Sequence, residues 1–247
     1  MPDASSATFV AIAGNIGSGK SSLTTLLAEK FGWKPYYEIV ETNPYLADFY
    51  KDMRRWSFQL QMFFLTKRFR HQQEIAASSI SVIQDRTIYE DAEIFAKNLY
   101  LHGNMEERDY KTYVEHFHLM TNFLKTPDLL IYLKAEVPTL IERIDIRGRD
   151  YERSIPKEYL AQLNEHYNSW IASYHRGPVV TFDVGKLNFV KQSKHLAQIA
   201  SVVSWELARL KNKEQAALPL QTMPKKKPKA SPPRAFGRGD EPPPRYS

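Results

Sequence analysis

The chain has no cysteine among its 247 residues, and it has no long apolar run. The absence of cysteine excludes disulfide bonds and thiolate metal ligands. No stretch approaches the roughly 18 to 20 apolar residues that a transmembrane helix needs. We therefore expect a protein without a membrane-spanning segment in a reducing compartment, by default the cytoplasm.

Most of the chain also lacks an excess of charge. Residues 1–210 hold 25 basic and 25 acidic residues, so the formal net charge of +6 comes entirely from residues 211–247. That segment also holds eight of the fifteen prolines and too few aliphatic residues to offset its conformational entropy by burial. We expect one domain at 1–210 and a basic, Pro-rich, disordered tail at 211–247. The tail could bind nucleic acid, although charge runs usually only stay in water.

Short apolar runs alternate with longer segments of helical spacing through residues 8–210. This alternation predicts an α/β fold, in which a five-stranded parallel sheet is covered by helices on both faces. Such sheets bind ligands beyond the carboxyl ends of their strands. The predicted strands lie at 8–13, 36–40, 80–84, 129–133 and 179–182. The predicted helices lie at 20–31, 56–77, 91–100, 106–124, 137–147, 156–175 and 189–210.

A complete phosphate-binding motif follows the first predicted strand. Residues 14–21 fit G-x-x-x-x-G-K-[ST] between a strand and a helix, which makes an ordinary Gly/Ser turn the weaker interpretation. Gly14 and Gly19 permit backbone angles that turn successive N–H groups toward phosphate oxygens. Lys20 can reach the β- and γ-phosphates, and the Ser21 hydroxyl can bind Mg²⁺. The predicted ATP-binding residues are Gly14, Asn15, Ile16, Gly17, Ser18, Gly19, Lys20, Ser21 and Ser22.

Charged side chains stand at the ends of the next two predicted strands. Glu38 lies toward the end of the second strand, and Asp85 and Arg86 follow the third. P-loop proteins hold Mg²⁺ with an acid in such a place, so Asp85 is a candidate metal ligand and Arg86 a candidate phosphate partner. A helix cap and a surface cation are the alternatives without a function.

An arginine-rich segment ends the helix after the fourth predicted strand. Residues 143–153 contain four arginines around Gly148, which fits either a solvated helix end or a mobile lid. The lid is favoured because the guanidinium fork matches phosphate oxygens and an ATP-dependent enzyme needs such charges at the transferring group. The candidate lid residues are Arg143, Arg147 and Arg149.

One aromatic-rich predicted helix offers a candidate acceptor site. Gln61 and Arg68 lie seven residues apart, which is two helical turns, so they share one face. Glutamine can pair with the edge of a base while phenylalanine stacks on its ring. A core helix with two exposed polar residues is equally consistent with the spacing. Together, these parts predict phosphoryl transfer, with Glu38 as a spare carboxylate.

The sequence resembles the deoxyribonucleoside kinases, most closely the bacterial branch that phosphorylates deoxyadenosine and deoxycytidine. The resemblance is carried by residues 14–21, 38–46, 55–61, 84–91 and 147–149. It implies transfer of the γ-phosphoryl group of ATP, with Mg²⁺, to the 5′-hydroxyl of a deoxyribonucleoside in nucleotide salvage. Members of the family are often homodimers. The family often has proline in place of isoleucine at position 39 and serine in place of threonine at position 87, and neither change removes a reacting group.

The resemblance also implies which side chains react. Glu38 would take the proton of the 5′-hydroxyl. Arg86 would help to hold that hydroxyl and the transferring group, with Asp85 near the Mg²⁺ ion. Arg143, Arg147 and Arg149 would be the arginines of the lid.

Other matching side chains would bind the nucleoside. Gln61, Arg68 and Asp91 match the trio that reads the base, with Gln61 in direct contact. Tyr50 and Glu152 match the residues that hold the sugar 3′-hydroxyl. A Gln–Arg–Asp set can serve adenine, cytosine or guanine, so the preferred base stays open.

Two other functions stay open on the residues alone. A nucleoside monophosphate kinase shares the phosphate loop and the arginine lid, but Glu38 would repel its phosphorylated acceptor. A nucleotide-dependent module could instead grip nucleic acid through the basic tail. Removal of the tail separates this module from a kinase, whose activity would survive the deletion.

Overall fold

The computed structural model describes residues 7–40 and 42–217, and for residue 153 and residues 213–217 it describes the backbone only. The chain divides into two compact units, the first of which ends at Ala208. The sheet and the candidate site belong to the first unit.

The predicted tail lies mostly outside the described residues. The last helix runs past the predicted domain boundary at residue 210 and ends at Ala217. The division into a domain at 1–210 and a tail at 211–247 therefore stays a prediction.

Five parallel strands form the sheet, as predicted. Their order is β2–β3–β1–β4–β5, so β1 lies in the middle. Every residue of β1 is buried, because helices cover the sheet on both faces. The strands are β1 (Phe9–Gly14), β2 (Lys34–Tyr36), β3 (Val82–Asp85), β4 (Leu129–Lys134) and β5 (Val179–Asp183).

Helices pack on both faces of the sheet. The α-helices are α1 (Lys20–Phe31), α2 (Leu46–Lys51), α3 (Met53–Ala76), α4 (Ile88–Glu90), α5 (Lys97–Leu101), α6 (Glu107–Thr121), α7 (Val137–Arg147), α8 (Lys157–Ala172) and α9 (Ser193–Ala217). A π-helix, Asp91–Ala96, joins α4 to α5, and a 3₁₀ helix, Asp150–Ser154, follows α7. None of the described helices has both the length and the apolar character needed to cross a membrane.

Side chains of β1 alternate between two apolar cores, as the period of a strand requires. Phe9 and Ala11 point into a core shared with α3, α6 and α8. Val10 and Ile12 point into the opposite core, shared with α1 and α9. The register places Ile12 beside Asp85 of β3, so the phosphate loop and Asp85 leave the sheet at the same edge.

The second and third strands differ from their predicted bounds. The second was predicted at 36–40 but ends at Tyr36, because β2 is the edge strand and the chain leaves the sheet after this point. Pro35 is tolerated there, since an edge strand does not need every N–H group. The third strand begins at Val82 rather than residue 80, and Ile80 is 55% exposed.

Candidate active site

The phosphate loop joins β1 to α1. Gly14 and Gly19 have φ angles of +154° and +96°, which side chains rarely adopt, and Gly19 caps α1. Lys20 is buried, and its Nζ donates to the Asn15 carbonyl at 2.9 Å. Burial, together with the charge of Arg86, lowers the pKa of Lys20 to about 8. The loop therefore holds a lysine at the N-terminus of a helix, where anions bind.

Ser21 and Asp85 meet beside the loop. The Ser21 hydroxyl donates to Asp85 Oδ2 at 2.5 Å, and the other carboxylate oxygen, Oδ1, is buried without a hydrogen-bond partner among the described residues. A hydroxyl and a carboxylate oxygen fit Mg²⁺, which often takes only one or two protein oxygens and completes its shell with phosphates and water. The described chain contains no cluster of three His, Asp or Glu that could enclose a metal, so such an ion would depend on the nucleotide.

Four side chains form what we call the buried charge cluster: Glu38, Arg68, Arg86 and Asp91. Arg68 lies between two carboxylates, with Nη2 2.6 Å from Glu38 Oε1 and Nε 2.5 Å from Asp91 Oδ2. Arg86 Nε lies 3.0 Å from the same oxygen of Glu38. The side chains of Arg68, Arg86 and Asp91 are only 3–4% exposed, whereas that of Glu38 is 21% exposed. Glu38 is therefore the most exposed member of the cluster.

The cluster keeps Glu38 ionised. Burial acts to raise the pKa of Glu38, but the charges of Arg86, Arg68 and Lys20 outweigh it and lower the pKa to about 2. At neutral pH the side chain is a carboxylate that can accept a proton only at close range, as a hydroxyl reacts.

Arg86 has an unusual backbone for a residue with a side chain. Its φ is +68°, and no other non-glycine residue of the described chain has a positive φ. Such a conformation costs on the order of 1 to 3 kcal/mol and persists only when its surroundings hold it. The Arg86 N–H donates to the Ile12 carbonyl at 2.9 Å, and its carbonyl accepts from Arg68 Nη1 at 3.3 Å. The strand end is thus fixed from both sides.

A pocket joins the phosphate loop to the charge cluster. Its empty volume, with the open mouth included, is about 1060 Å³. It brings together most of the predicted site residues: Ile16, Gly17, Gly19, Lys20, Ser21, Ser22, Glu38, Tyr50, Gln61, Arg86, Asp91, Arg147, Arg149 and Glu152. Gly14, Asn15, Ser18, Arg68, Asp85 and Arg143 lie behind this lining.

The described lining of the pocket contains a single side-chain amide, that of Gln61. Gln61 is buried, and its Oε1 has no hydrogen-bond partner among the described residues. Phe64 and Phe95 line the same pocket. A free amide beside aromatic rings fits a planar heterocycle. Phe95 was missed from the sequence, although it lies four residues after Asp91, a spacing that puts side chains on one face of a helix.

The arginine-rich segment lies at the side of the pocket. Arg147 Nη2 is 2.6 Å from Glu152 Oε2, and Arg149 Nη1 is 3.4 Å from Glu152 Oε1. The ring of Tyr50 stacks on Tyr151 with centroids 6.2 Å apart. Glu152, which was predicted with Tyr50 to hold the sugar 3′-hydroxyl, is therefore also the partner of Arg147 and Arg149.

Arg143 is placed differently from the other two predicted lid arginines. Its guanidinium donates to the carbonyl of Ser18 at 3.1 Å and to that of Val184 at 2.5 Å, and it does not line the pocket. The helix α7 that carries Arg143 is thus tied to the back of the phosphate loop. This geometry suits a brace for the loop, and a role at the transferring phosphoryl group stays a prediction for Arg143.

The family model of the deoxynucleoside kinases matches residues 10–207. The chain belongs to the deoxynucleoside kinase family. It is 38% identical over 200 residues to a deoxyadenosine/deoxycytidine kinase of Bacillus subtilis (strain 168), an alignment that covers 78% of this chain and 92% of the relative. It is 35% identical over 201 residues to a deoxyguanosine kinase of the same organism, which covers 80% and 96%.

A solved structure agrees with the sequence relatives. The structure of deoxyadenosine kinase from M. mycoides with bound dATP superposes with a TM-score of 0.72 at 30% identity and covers 80% of this chain and 99% of that one. The resemblance, the α/β fold with a parallel sheet and the enzyme class are thereby confirmed. The protein is a phosphotransferase that acts on deoxynucleosides with a nucleotide as phosphate donor.

The relatives differ in the base that their names specify, so this deoxynucleoside kinase shares a family with enzymes of different specificity. The two alternatives that the residues left open, a monophosphate kinase and a nucleic-acid-binding module, are not the family that the chain matches.

Proposed function

We propose that this deoxynucleoside kinase transfers the γ-phosphoryl group of ATP to the 5′-hydroxyl of deoxyadenosine, deoxycytidine or both, with Mg²⁺, in nucleotide salvage. The place of Glu38 carries the proposal. It is the most exposed carboxylate of the buried charge cluster, and the pocket around it runs from the phosphate loop to Gln61. A substrate hydroxyl bound between the phosphate loop and Gln61 would lie next to the ionised carboxylate of Glu38, which can accept its proton.

The reaction then needs little covalent chemistry from the protein. Glu38 accepts the proton of the 5′-hydroxyl as the new P–O bond forms, and Arg86 holds the hydroxyl and the developing negative charge. Lys20 and the loop N–H groups hold the phosphates of ATP. An Mg²⁺ ion held by Ser21 and Asp85 would neutralise charge on those phosphates. Most of the rate enhancement comes from alignment and charge stabilisation.

Gln61 reads the base in this proposal, and Arg68 and Asp91 support it. Adenine and cytosine both present an exocyclic amine beside a ring nitrogen, which one amide can meet with its oxygen and its NH₂ group. Guanine is the competing base, because an amide that turns over can also meet a carbonyl and an N–H. The preference for adenine and cytosine is supported by the names of the Bacillus subtilis deoxyadenosine/deoxycytidine kinase and the M. mycoides deoxyadenosine kinase, whereas the name of the Bacillus subtilis deoxyguanosine kinase favours guanine.

The remaining predicted residues complete the site. Tyr50 and Glu152 hold the sugar 3′-hydroxyl, and Arg147 and Arg149 close over the phosphates as a lid. The cytoplasm stays the predicted compartment, and nucleic-acid binding by the tail stays the less favoured alternative for that segment.

We also propose a homodimer. Leu101, Leu119 and Phe123, on and after the helices α5 and α6, expose large apolar side chains, and Phe123 is 87% exposed. Exposed apolar surface of this kind is typical of a contact between subunits. Light scattering is expected to give twice the chain mass of 28.7 kDa, and a mass of one chain at micromolar concentration would contradict the dimer.

The test is a panel of the four deoxynucleosides with ATP and Mg²⁺, with the products separated by chromatography. Deoxyadenosine, deoxycytidine or both should give the 5′-monophosphate with the highest kcat/KM, and Lys20→Ala should give none. Product from deoxyguanosine alone would overturn the base preference. No product from any of the four would overturn the proposed reaction.

A further inference from the structure

The carboxylate of Glu90 is completely buried and is shared by separate parts of the chain. Its Oε1 accepts from the Gly14 N–H at 3.3 Å and from the Tyr167 hydroxyl at 2.8 Å. Its Oε2 accepts from the Thr87 N–H at 2.6 Å and from the Thr87 hydroxyl at 3.0 Å. These four bonds use the acceptor sites of an ionised carboxylate, so the group is satisfied without water.

Tyr167 of α8 connects this carboxylate to Arg86. Its ring is fully buried, and its hydroxyl accepts from Arg86 Nη1 at 2.6 Å while it donates to Glu90. A phenol has one hydrogen, and because Glu90 takes it, a lone pair of the oxygen is left to face the guanidinium. The bonds therefore form a directed chain from Arg86 through Tyr167 and Glu90 to Gly14, beside a longer direct ion pair of 3.6 Å between Arg86 Nη1 and Glu90 Oε1.

This chain joins the two halves of the proposed site. Gly14 is the first residue of the phosphate loop, and Arg86 is one of the two buried arginines that pair with Glu38. When Glu38 turns to a substrate hydroxyl, it can no longer hold Arg86 in place by itself. The contact with Tyr167 does not involve Glu38, so it can keep the guanidinium fixed throughout the reaction. Neither Glu90 nor Tyr167 lines the pocket.

A purely structural role is a poor account of this arrangement. A buried ion pair is often no more stabilising than apolar side chains of similar volume, because each charge must lose its water. Yet these bonds converge on a residue with a positive φ and on the first residue of the phosphate loop. Sub-ångström placement of reacting groups is where such rigidity has its largest effect on rate.

We propose that Glu90 and Tyr167 are positioning residues that fix the Arg86 guanidinium relative to the phosphate loop. The inference rests on the proposed role of Arg86 in phosphoryl transfer. It predicts that removal of the Tyr167 hydroxyl impairs turnover with little effect on nucleoside binding.

The matched test compares Tyr167→Phe with Tyr132→Phe. Tyr132 stacks on the ring of Tyr167 with centroids 5.9 Å apart, and its hydroxyl makes no hydrogen bond to any described residue. Tyr167→Phe should lower kcat by about 10- to 100-fold while the nucleoside KM stays within about threefold. Tyr132→Phe should keep kcat within about twofold. The Tm of Tyr167→Phe should be the lower of the two, because loss of its hydroxyl leaves buried Arg86 and Glu90 each without one hydrogen bond, so kcat is compared well below both Tm values.

A second variant tests the link to the phosphate loop. Glu90→Gln keeps the size of the side chain, but its NH₂ group must face the N–H of Gly14 or of Thr87. This variant should raise the ATP KM as well as lower kcat. The double variant with Tyr167→Phe should lose about as much kcat as the worse single variant, because residues in one network are not additive.

Three results would overturn the inference: equal kcat for Tyr167→Phe and Tyr132→Phe, multiplying losses in the double variant, or a nucleoside KM that rises as much as kcat falls. If Glu90→Gln does not fold, the comparison of the two Tyr→Phe variants decides alone. Arg86→Lys separates the inference from the proposed function. Full turnover of Arg86→Lys would contradict the proposed role of Arg86 in phosphoryl transfer. Impaired turnover of Arg86→Lys together with normal turnover of Tyr167→Phe would contradict only the positioning role of Glu90 and Tyr167.

Discussion

Two pairs of arginines in the site differ in burial and in what holds them. Arg68 and Arg86 are 3–4% exposed and lie among the carboxylates of the buried charge cluster. Arg147 and Arg149 are 35% exposed and pair with Glu152. A buried pair cannot exchange its partner for water without a large penalty, whereas a partly exposed arginine can turn to another partner at less cost, even though Glu152 itself is only 6% exposed. The proposed acceptor half is thus the more firmly prearranged, and the proposed lid arginines are the ones that we expect to change partners.

Arg68→Met should give the largest loss of stability, because it removes the arginine at the centre of the buried charge cluster. Burial raises the pKa of Asp91 to about 7 even with Arg68 beside it, so without Arg68 the carboxyl must take up a proton or stay buried without its partner. The free energy of unfolding should fall by as much as about 3 to 5 kcal/mol. Urea denaturation followed by circular dichroism measures the loss. The matched control, Arg149→Met, should cost less than about 1 kcal/mol. Similar losses in the two variants would show that burial does not separate the pairs.

Glu38→Gln should remove the base from the cluster without changing its size. The expected loss in kcat is about 10²- to 10⁴-fold, the usual contribution of a general base. Nucleoside affinity, measured by calorimetry, should change little. Turnover within a few-fold of the parent enzyme would remove Glu38 from this role.

The low pKa of Glu38 also predicts a pH dependence of stability. The folded pKa of about 2 lies below the value of 4.5 for a free glutamate, so the ionised Glu38 side chain contributes its full stabilisation above pH 4.5. This contribution is lost as the pH falls toward 2. Below about pH 4.5 the stability difference between the parent and Glu38→Gln should therefore shrink. A difference that still grows below pH 4.5 would contradict the depressed pKa.

The salt dependence of the coupling energy should also distinguish the partly exposed ion pairs from the buried ones, with a smaller effect. A double-mutant cycle on Arg147 and Glu152 should give a coupling of about 1 kcal/mol that weakens as NaCl rises, since Arg147 is partly exposed and its charge is partly screened. The same cycle on Arg68 and Asp91 should be nearly independent of salt. Equal salt dependence would mean that water reaches both pairs.

Removal of residues 218–247 should have the smallest effect. These residues carry much of the excess positive charge of the chain but none of the predicted site residues. Their net positive charge adds only a screened, long-range attraction for ATP, so kcat and both KM values should stay within about twofold. A large rise in the ATP KM would show that the tail takes part in nucleotide binding.

The parts of the site that are local in sequence could be predicted, and those that depend on distant contacts could not. Eight consecutive residues specify the phosphate loop, and the apolar runs specify the parallel sheet. The helix α2 was missed because six residues are too few to show a helical period. The predicted helix at 91–100 begins as a π-helix, whose wider turn has no sequence signature.

The backbone conformation of Arg86 and its contact with Tyr167 also depend on distant parts of the chain, so the local sequence could not predict them. Nothing in the residues around Arg86 announces a positive φ, because tertiary contacts impose it. Tyr167 lies 77 residues from Glu90, and no spacing rule connects them. The predicted strand at 36–40 was too long for a related reason. The chain leaves the sheet after Tyr36, so Glu38 reaches the cluster from a loop.

The shared carboxylate of Glu90 has a consequence for how the protein folds. Its partners come from the first strand, from the start of α4 and from α8, so no chain that ends before α8 contains them all. Contacts between residues so far apart form slowly, because much of the chain must be ordered before they do. A fragment that ends before α8 would leave the buried Glu90 side chain without its Tyr167 partner, and we expect that it does not accumulate as a stable intermediate. The contacts that join the two halves of the proposed site should therefore form late in folding.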